Sequence, residues 1–433
     1  MNLFDFSLKI NGFEIDRAKQ TLLKIQQIPE RDYKTYIDNR KFNIVSFHLK
    51  HNSFYQHFTK NIDMNNWDKI PIITKSDLQK PINSLLSKGF TKKSVYIDKT
   101  SGATGNPFYF AKDKFTHALT WAIIGNRFGW HGLNSKKQAR FYGIPNSIVQ
   151  NIKGRLKDLF ANRYRFNVFD LSSESLDNWV EDFKKSNYVY LNGYTTVILA
   201  FAKHLVSKKI ILKDVCPSLE ACVVTSEMCF ENDKKVMEVA FGVPVINEYG
   251  ASELDLIAFE NDKLEWIVNT ETLYVEILDN KNNILPFGEE GRIVITSLYN
   301  KAYPFIRYDI GDIGKLKFIN NKTLLLEKLI GRKEDIVKLP SGKTSPGLTF
   351  YYVTKSIMED NGNINEIKVT QSKLDTFEIY YSGERQLDIN QEKKITKALF
   401  DYLEPNLNVT YNKVEQIKRN TNGKLKQFTS LIN

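Results

Sequence analysis

The sequence predicts an α/β protein organised on a mostly parallel sheet, and three features carry that prediction. Between residues 137 and 253, short runs rich in β-branched residues alternate with segments of helical periodicity. Two of those runs, LEACVVTSE and PVINEYGASE, stop at polar tips, Thr225-Ser226-Glu227 and Tyr249-Gly250-Ala251-Ser252-Glu253, as strands do where they meet a ligand crevice. From about residue 264 the texture changes to short alternating segments, which read as antiparallel strands.

Taken in order, residues 14–60 carry apolar positions near the 3.6-residue period and read as helix, with His48 and His51 one turn apart on its surface. Thr74 is placed to cap a helix, with Asp77 three residues on. FTHALTWAIIGNRFGW is helical in pattern, KKQARFYGIP a strand, SLDNWVEDFKKS a helix, and VYLNGYTTVILAFAKHLVSKK a strand, a turn and a helix. DKKVMEVAFG then supplies the helix between the two polar-tipped strands. LEWIVNT, LYVEILD, GRIVITSL, IGKLKF and TLLLEKL are the antiparallel candidates, with YPFIRYDIGDIG among them, where a simple Arg307–Asp309 ion pair is the structural alternative to a functional role. A shift near residue 331 opens a smaller α+β unit, which ends in the lysine-rich KRNTNGKLKQF.

Composition bounds the function. A chain of 433 residues exceeds what one core usually supports, so two or three domains are expected. Apolar residues at 42% and aromatics at 12% exclude general disorder. The net charge of +11 comes from lysines spread along the whole chain, so it predicts a solvated surface and no nucleic-acid partner, while favouring an anionic nucleotide substrate. The N-terminus mixes acidic with apolar residues and no apolar run is long enough to cross a bilayer, so a soluble, cytoplasmic protein is expected. Cys216, Cys222 and Cys229 match neither a disulfide framework nor a zinc knuckle, and read as buried, reduced thiols; a metal site completed by His204 is the alternative.

The stretch from Thr100 to Pro107, TSGATGNP, lies between a β-branched run and an aromatic one. Its glycines allow close backbone approach, and its amides and hydroxyls form an anion nest suited to phosphate. It is neither a Walker A loop nor GxGxxG.

Five stretches stand in one order, TSGATGNP, TSE, NEYGASE, RYDIGD and GRKED, closed by NGKLK. In this the chain resembles the adenylate-forming superfamily of acyl-CoA synthetases, adenylation domains and luciferases. It is most similar to the phenylacetate–CoA ligase group, in the branch found in capsular-polysaccharide gene clusters, through IPIITKSDLQK, NGYTTVILAFAKH, TSEMCF, FGVPVINEYG and KAYPFIRYDIGD. The resemblance implies a large domain, residues 1–330, of mostly parallel sheets covered by helices with a small β-barrel-like part. It also implies a small mobile α+β domain, residues 331–433, carrying the catalytic lysine. The activity implied is ATP-dependent formation of an acyl-adenylate with pyrophosphate release, followed by acyl transfer to a thiol.

By the same resemblance, Thr100, Ser101, Gly102, Thr104 and Gly105 grip the β- and γ-phosphates of ATP. Ser226 and Glu227 lie on the adenine side, Tyr249 stacks on the base, Gly250 beside it belongs to the same nucleotide site, and Ser252 approaches the α-phosphate. Glu253 is catalytic and holds Mg²⁺, Asp312 accepts from the ribose hydroxyls, and Arg332 reaches a phosphate. Glu334 is the hinge and Lys424 the catalytic adenylation lysine. Coenzyme A is the default acceptor; a carrier-protein thiol or an amine is the alternative, and a homodimer is left open.

Three positions depart from the family pattern: Asn106 replaces a lysine, Asp309-Ile310-Gly311-Asp312 replaces Arg-Thr-Gly-Asp, and Glu334 replaces Asp. Residues 254–270 hold neither Cys nor His, so no zinc is expected. The acyl pocket is expected from residues 141–145 and 192–196, with Tyr142 and Tyr194 as walls. A non-catalytic nucleotide-binding protein is the competing class, against which intact Glu253, Asp312 and Lys424 speak.

Overall fold

Both faces of strand β6 (Ala221–Thr225) are covered, since all five of its residues are buried. That is the behaviour of a central strand in an α/β sheet. The computed structural model describes residues 3–60, 66–99, 109–142, 158–332, 336–346, 350, 353, 364–418 and 425–432. The chain divides into two compact units, residues 1–310 with 314–328, and residues 311–313 with 329–433.

In the first unit β3 (Gln138–Phe141), β4 (Arg163–Arg165), β5 (Tyr190–Tyr194), β6 and β7 (Val245–Ala251) run parallel, in the spatial order β7-β6-β5-β3-β4. Beyond β7 the same sheet continues through β8 (Asp255–Glu260) and β9 (Trp266–Val268), which are antiparallel to their neighbours. It goes on to β13 (Leu324–Arg332), β12 (Tyr308–Phe318), β11 (Glu290–Ser297) and β10 (Leu273–Leu278), giving eleven strands among the described residues. The strands expected in a small barrel-like part are thus hydrogen-bonded into one sheet with the parallel ones.

Alternation along each parallel strand sends side chains to two cores. Leu191, Cys222, Val224 and Val245 join Trp179, Phe183, Phe201 and Phe241 from the helices Ser173–Lys185, Thr195–Ser207 and Glu231–Phe241. Ala221, Val223 and Ile246 instead meet α2 (Ile15–Gln26) and α5 (Lys114–Trp130) through Ala18, Leu22, Leu119 and Ile123. The helix Glu231–Phe241 ends on Gly242 at φ +68°, the left-handed closure that glycine accepts without strain.

The long helical stretch is cut into pieces for local reasons. Pro29 precedes α3 (Glu30–His51), and Asn52 accepts the Tyr55 amide at 2.8 Å to start α4 (Ser53–Thr59). His48, expected on a helix surface, is fully buried. The Thr74–Asp77 cap does form, with Asp77 accepting the Thr74 amide at 2.8 Å, but residues 75–78 make turns rather than a helix. Pro81 follows closely and opposes helical geometry at the residue before it.

In the second unit β16 (Ile364–Lys373) and β17 (Thr376–Gly383) form an antiparallel pair, flanked in parallel by β19 (Phe428–Ser430) and β18 (Asn408–Lys413). The helix Ile389–Tyr402 opens on a capping box of Asp388 and Gln391, and packs Ile395 and Leu399 into a core with Phe377 and Ile379. Among the described residues no helix is long and apolar enough to cross a membrane.

Candidate active site

β1 (Val95–Lys99) and β2 (Tyr109–Asp113) pair antiparallel, Lys99 opposite Tyr109, and so bracket residues 100–108, the stretch expected to bind phosphate. Thr100, Ser101, Gly102, Thr104 and Gly105 lie outside the described residues. β2 passes directly into α5, whose first turn is capped by Asp113, accepting the Thr116 amide at 2.8 Å. One residue earlier Lys112, 2% exposed, points inward. Its ammonium donates to the Ser252 carbonyl at 2.9 Å and to the Asp255 carboxylate, which also accepts the Thr120 hydroxyl at 2.6 Å.

Those contacts fix the β7–β8 turn. A Cβ on Gly250 would stand 2.5 Å from the Asp255 carbonyl oxygen, so the two strands close only around glycine there. Asp255 itself sits at φ +61°. Tyr249 is buried, its ring stacked on Trp266 with centroids 6.3 Å apart. Ser252 is exposed at the tip, while Glu253 is buried and accepts the Tyr308 hydroxyl at 3.0 Å. Burial, then the neighbouring Glu253 charge, push the Tyr308 phenol well above its ordinary range, so it remains the donor in that bond. Lys112, Thr120, Glu253, Asp255, Ser297 and Asn300 line one cleft.

At the tip of β6 Ser226 is exposed at φ +71°. Glu227 turns back on the fold: its carboxylate accepts the Thr196 amide at 2.8 Å and its carbonyl accepts the Thr195 hydroxyl at 3.1 Å, capping the helix Thr195–Ser207. Tyr142 and Tyr194 face each other with ring centroids 4.9 Å apart.

The RYDIGD segment does not form the ion pair that was its structural alternative. Arg307 and Asp309 do not pair with each other. Arg307, 1% exposed, faces Glu276 at 3.4 Å and donates to the carbonyls of Trp67, Asp68 and Ile70, whereas Asp309 is held by Arg292 at 2.6 Å. Arg307 lies just before β12 at φ +43°, off the regular strand geometry, so the alternation that would set residues 307 and 309 on one face does not hold, and Arg292 on β11 takes Asp309 instead. Asp312 is buried on β12, within the stretch 311–313 that groups with the second unit. Arg332 ends β13, and its side chain lies outside the described residues, as do Glu334 and Lys424. Sequence reasoning passed over Lys112 and Tyr308; a lysine inside the apolar run FYFAKD was the available signal for the first.

Cys216 and Cys222 are buried and free, and burial pushes the Cys229 thiol up to about 12, which leaves it unreactive. His204 is hydrogen-bonded to Asp177 at 2.7 Å. Among the described residues no group of three His, Cys, Asp or Glu side chains could hold a metal.

No family model matches the chain. Protein CapK of Staphylococcus aureus is 23% identical over 421 residues, covering 93% of this chain and 90% of that protein. The phenylacetate-coenzyme A ligase of Aromatoleum evansii is 28% identical over 284 residues, 62% of this chain and 61% of the relative. The crystal structure of a 2-hydroxyisobutyryl-CoA ligase in the postadenylation state, in complex with R3-HIB-AMP, superposes with a TM-score of 0.70 at 14% identity, covering 93% of this chain and 90% of that one. The chain has the fold of an adenylate-forming CoA ligase. The superfamily and group expected from the ordered motifs are borne out, and with them the α/β fold.

Proposed function

We propose that the protein activates a carboxylic acid with ATP and then passes the acyl group to a thiol, coenzyme A being the default acceptor. The observation that carries this reading is the set of tips at the carboxyl ends of β6 and β7, where Ser226, Ser252 and the braced carboxylate of Glu253 emerge together. A carboxylate oxygen attacks the α-phosphorus of ATP, the bond to the bridging oxygen breaks, and pyrophosphate leaves. In the second step a thiol attacks the acyl carbonyl and AMP leaves.

Glu253 supplies one hard, buried carboxylate with no cluster of further ligands among the described residues, which suits Mg²⁺ held jointly with phosphates. When bound, that ion neutralises charge on the phosphate oxygens. The chain's own contribution is positional: Lys112 fixes the turn bearing Ser252 and Glu253, and Tyr308 aims the carboxylate. In this reading Asp312 holds the ribose, Tyr249 flanks the base and Lys424 stabilises the charge that grows during adenylation. The small domain then turns about Glu334 to withdraw Lys424 for the transfer step.

Acid-dependent pyrophosphate release with ATP and Mg²⁺ tests this, with coenzyme A, a pantetheinylated carrier or an amine added in turn to identify the acceptor. Lys424→Ala is expected to lose release while keeping transfer from preformed acyl-adenylate. Equal loss of both steps would sink the domain-swing mechanism, and ATP binding with no release under any acid would favour a binding protein.

A further inference from the structure

The parallel strands put a second polar group at their carboxyl ends. Arg140 on β3 lies opposite Asn192 on β5, Tyr194 opposite Thr225 on β6, and Thr225 opposite Glu248 on β7, so these side chains share one face of the sheet. Asn192 is fixed in orientation: its carbonyl accepts from the Gln138 amide at 2.8 Å and the Tyr142 hydroxyl at 3.3 Å, and its own amide donates to the Val223 carbonyl at 3.2 Å. Tyr142, pinned in this way, carries the Arg140 guanidinium 4.0 Å from its ring centroid.

That guanidinium has no carboxylate partner among the described residues. Its Nε is buried and makes no hydrogen bond there. Asp158 is shared by Arg163 at 2.5 Å and Arg165 at 3.0 Å. Burial and then the Arg140 charge pull Arg163 down to about 10, against the pull of Asp158. Glu248, on the other side, is pushed above its ordinary value by burial, against the Thr225 hydroxyl and the Arg140 charge. An arginine pre-set on an aromatic ring, with no hydrogen-bond acceptor among the described residues, is placed to receive an oxygen acceptor. The two tyrosines expected as pocket walls pack on each other, and Tyr142 also carries Arg140.

We propose that Arg140 recognises the tail of the acid substrate, and that this acid carries a hydrogen-bond-accepting oxygen group, a carboxylate, carbonyl or hydroxyl, at the end away from its reacting carboxylate. This rests on the acid-activating function proposed above. Alkyl and plain aryl acids leave the guanidinium without a partner and are the poorer substrates.

Matched acids test it: butyrate against 4-hydroxybutyrate and succinate, and benzoate against 4-hydroxybenzoate. Pyrophosphate release is one readout, and the rise in melting temperature with acid plus AMP is the other. The oxygenated member of a pair is expected to lead in kcat/KM by about tenfold or more, a ratio that Arg140→Met brings down toward one and Arg140→Lys restores only in part. Tyr142→Phe, which keeps the ring but not the bond to Asn192, raises KM for the oxygenated acid more than it lowers kcat. Equal or better turnover of the hydrocarbon members, or an equal loss for both members in Arg140→Met, overturns the proposal while leaving acid activation standing. Protection by oxygenated acids that depends on Arg140, without release by any acid, keeps the subsite and overturns the activity. Neither release nor protection by an oxygenated acid overturns the subsite.

Discussion

Lys112 donates to the backbone carbonyl of Ser252 across 2.9 Å, joining the strand Tyr109–Asp113 to the turn that carries Glu253. The two segments are 140 residues apart in sequence. One ammonium therefore registers the two parts of the proposed nucleotide site against each other, with Asp255 as its counter-charge.

Removing that ammonium strands Asp255. Lys112→Met is expected to cost about 3 kcal/mol of stability, as breaking a largely buried ion pair does. It is also expected to raise KM for ATP, because the Ser252 carbonyl loses its tether. Lys112→Met with Asp255→Asn is expected to recover much of the stability and little of the KM. Thermal melts paired with pyrophosphate-release kinetics separate the two effects, and full recovery of both would make Lys112 a packing residue only.

Arg307 gives the opposite expectation. It and Glu276 are both about 1% exposed and face each other at 3.4 Å, with Glu276 Oε2 and the Arg307 Nε and Nη2 atoms making no further hydrogen bonds among the described residues. Arg307→Met is expected to destabilise by about 3–5 kcal/mol by leaving Glu276 buried and unpaired. Replacing both residues by apolar ones of similar volume returns most of that. Denaturant titration measures the change, and KM for ATP in the remaining folded protein stays as in the wild type.

How much of this was legible in the sequence follows the range of each interaction. β6 was legible because five consecutive buried residues need no partner to be recognised. The tips at Ser226 and Glu253 were legible because polar residues end an apolar run. The Thr74–Asp77 cap was legible too, yet Pro81 outweighed it and no helix followed. The pairings that decide the site were not legible: Tyr308 meets Glu253 across 55 residues, and Arg307 chooses Glu276 over the nearby Asp309. Nothing in local pattern encodes which of two carboxylates an arginine reaches once the sheet has formed.

His48 supplies a pH signature. Its Nε2 lies 2.9 Å from the Asn300 carbonyl, which accepts only, so Nε2 carries the proton and Nδ1 accepts from the Ser87 hydroxyl at 3.2 Å. Burial pulls its pKa from the ordinary 6.5 to about 4. A depressed pKa contributes stability that is complete above 6.5 and lost as pH falls toward 4. The loss across that window is expected to reach about 3 kcal/mol. His48→Gln is expected to be less stable at neutral pH and flatter across the window. Melting curves at pH values through that range check it, and an unchanged slope in the variant would falsify the assignment.

Tyr308 and Tyr303 offer a paired test of how Glu253 is aimed. Both are buried, and the charge of Glu253 acts on both phenols. Only the Tyr308 hydroxyl bonds to the carboxylate, at 3.0 Å; the Tyr303 hydroxyl donates toward the Leu78 and Tyr109 carbonyls at 3.5 and 3.3 Å. A hydrogen bond to a charged group contributes about 1.5–3 kcal/mol, so Tyr308→Phe leaves Glu253 free to turn and is expected to raise the Mg²⁺ concentration needed for half-maximal pyrophosphate release by about tenfold. Tyr303→Phe removes a hydroxyl of the same kind without touching the carboxylate, and is expected to lower the melting temperature while leaving the Mg²⁺ dependence in place. A Tyr308→Phe enzyme with normal Mg²⁺ dependence and reduced kcat would mean that the phenol acts on the substrate rather than through Glu253.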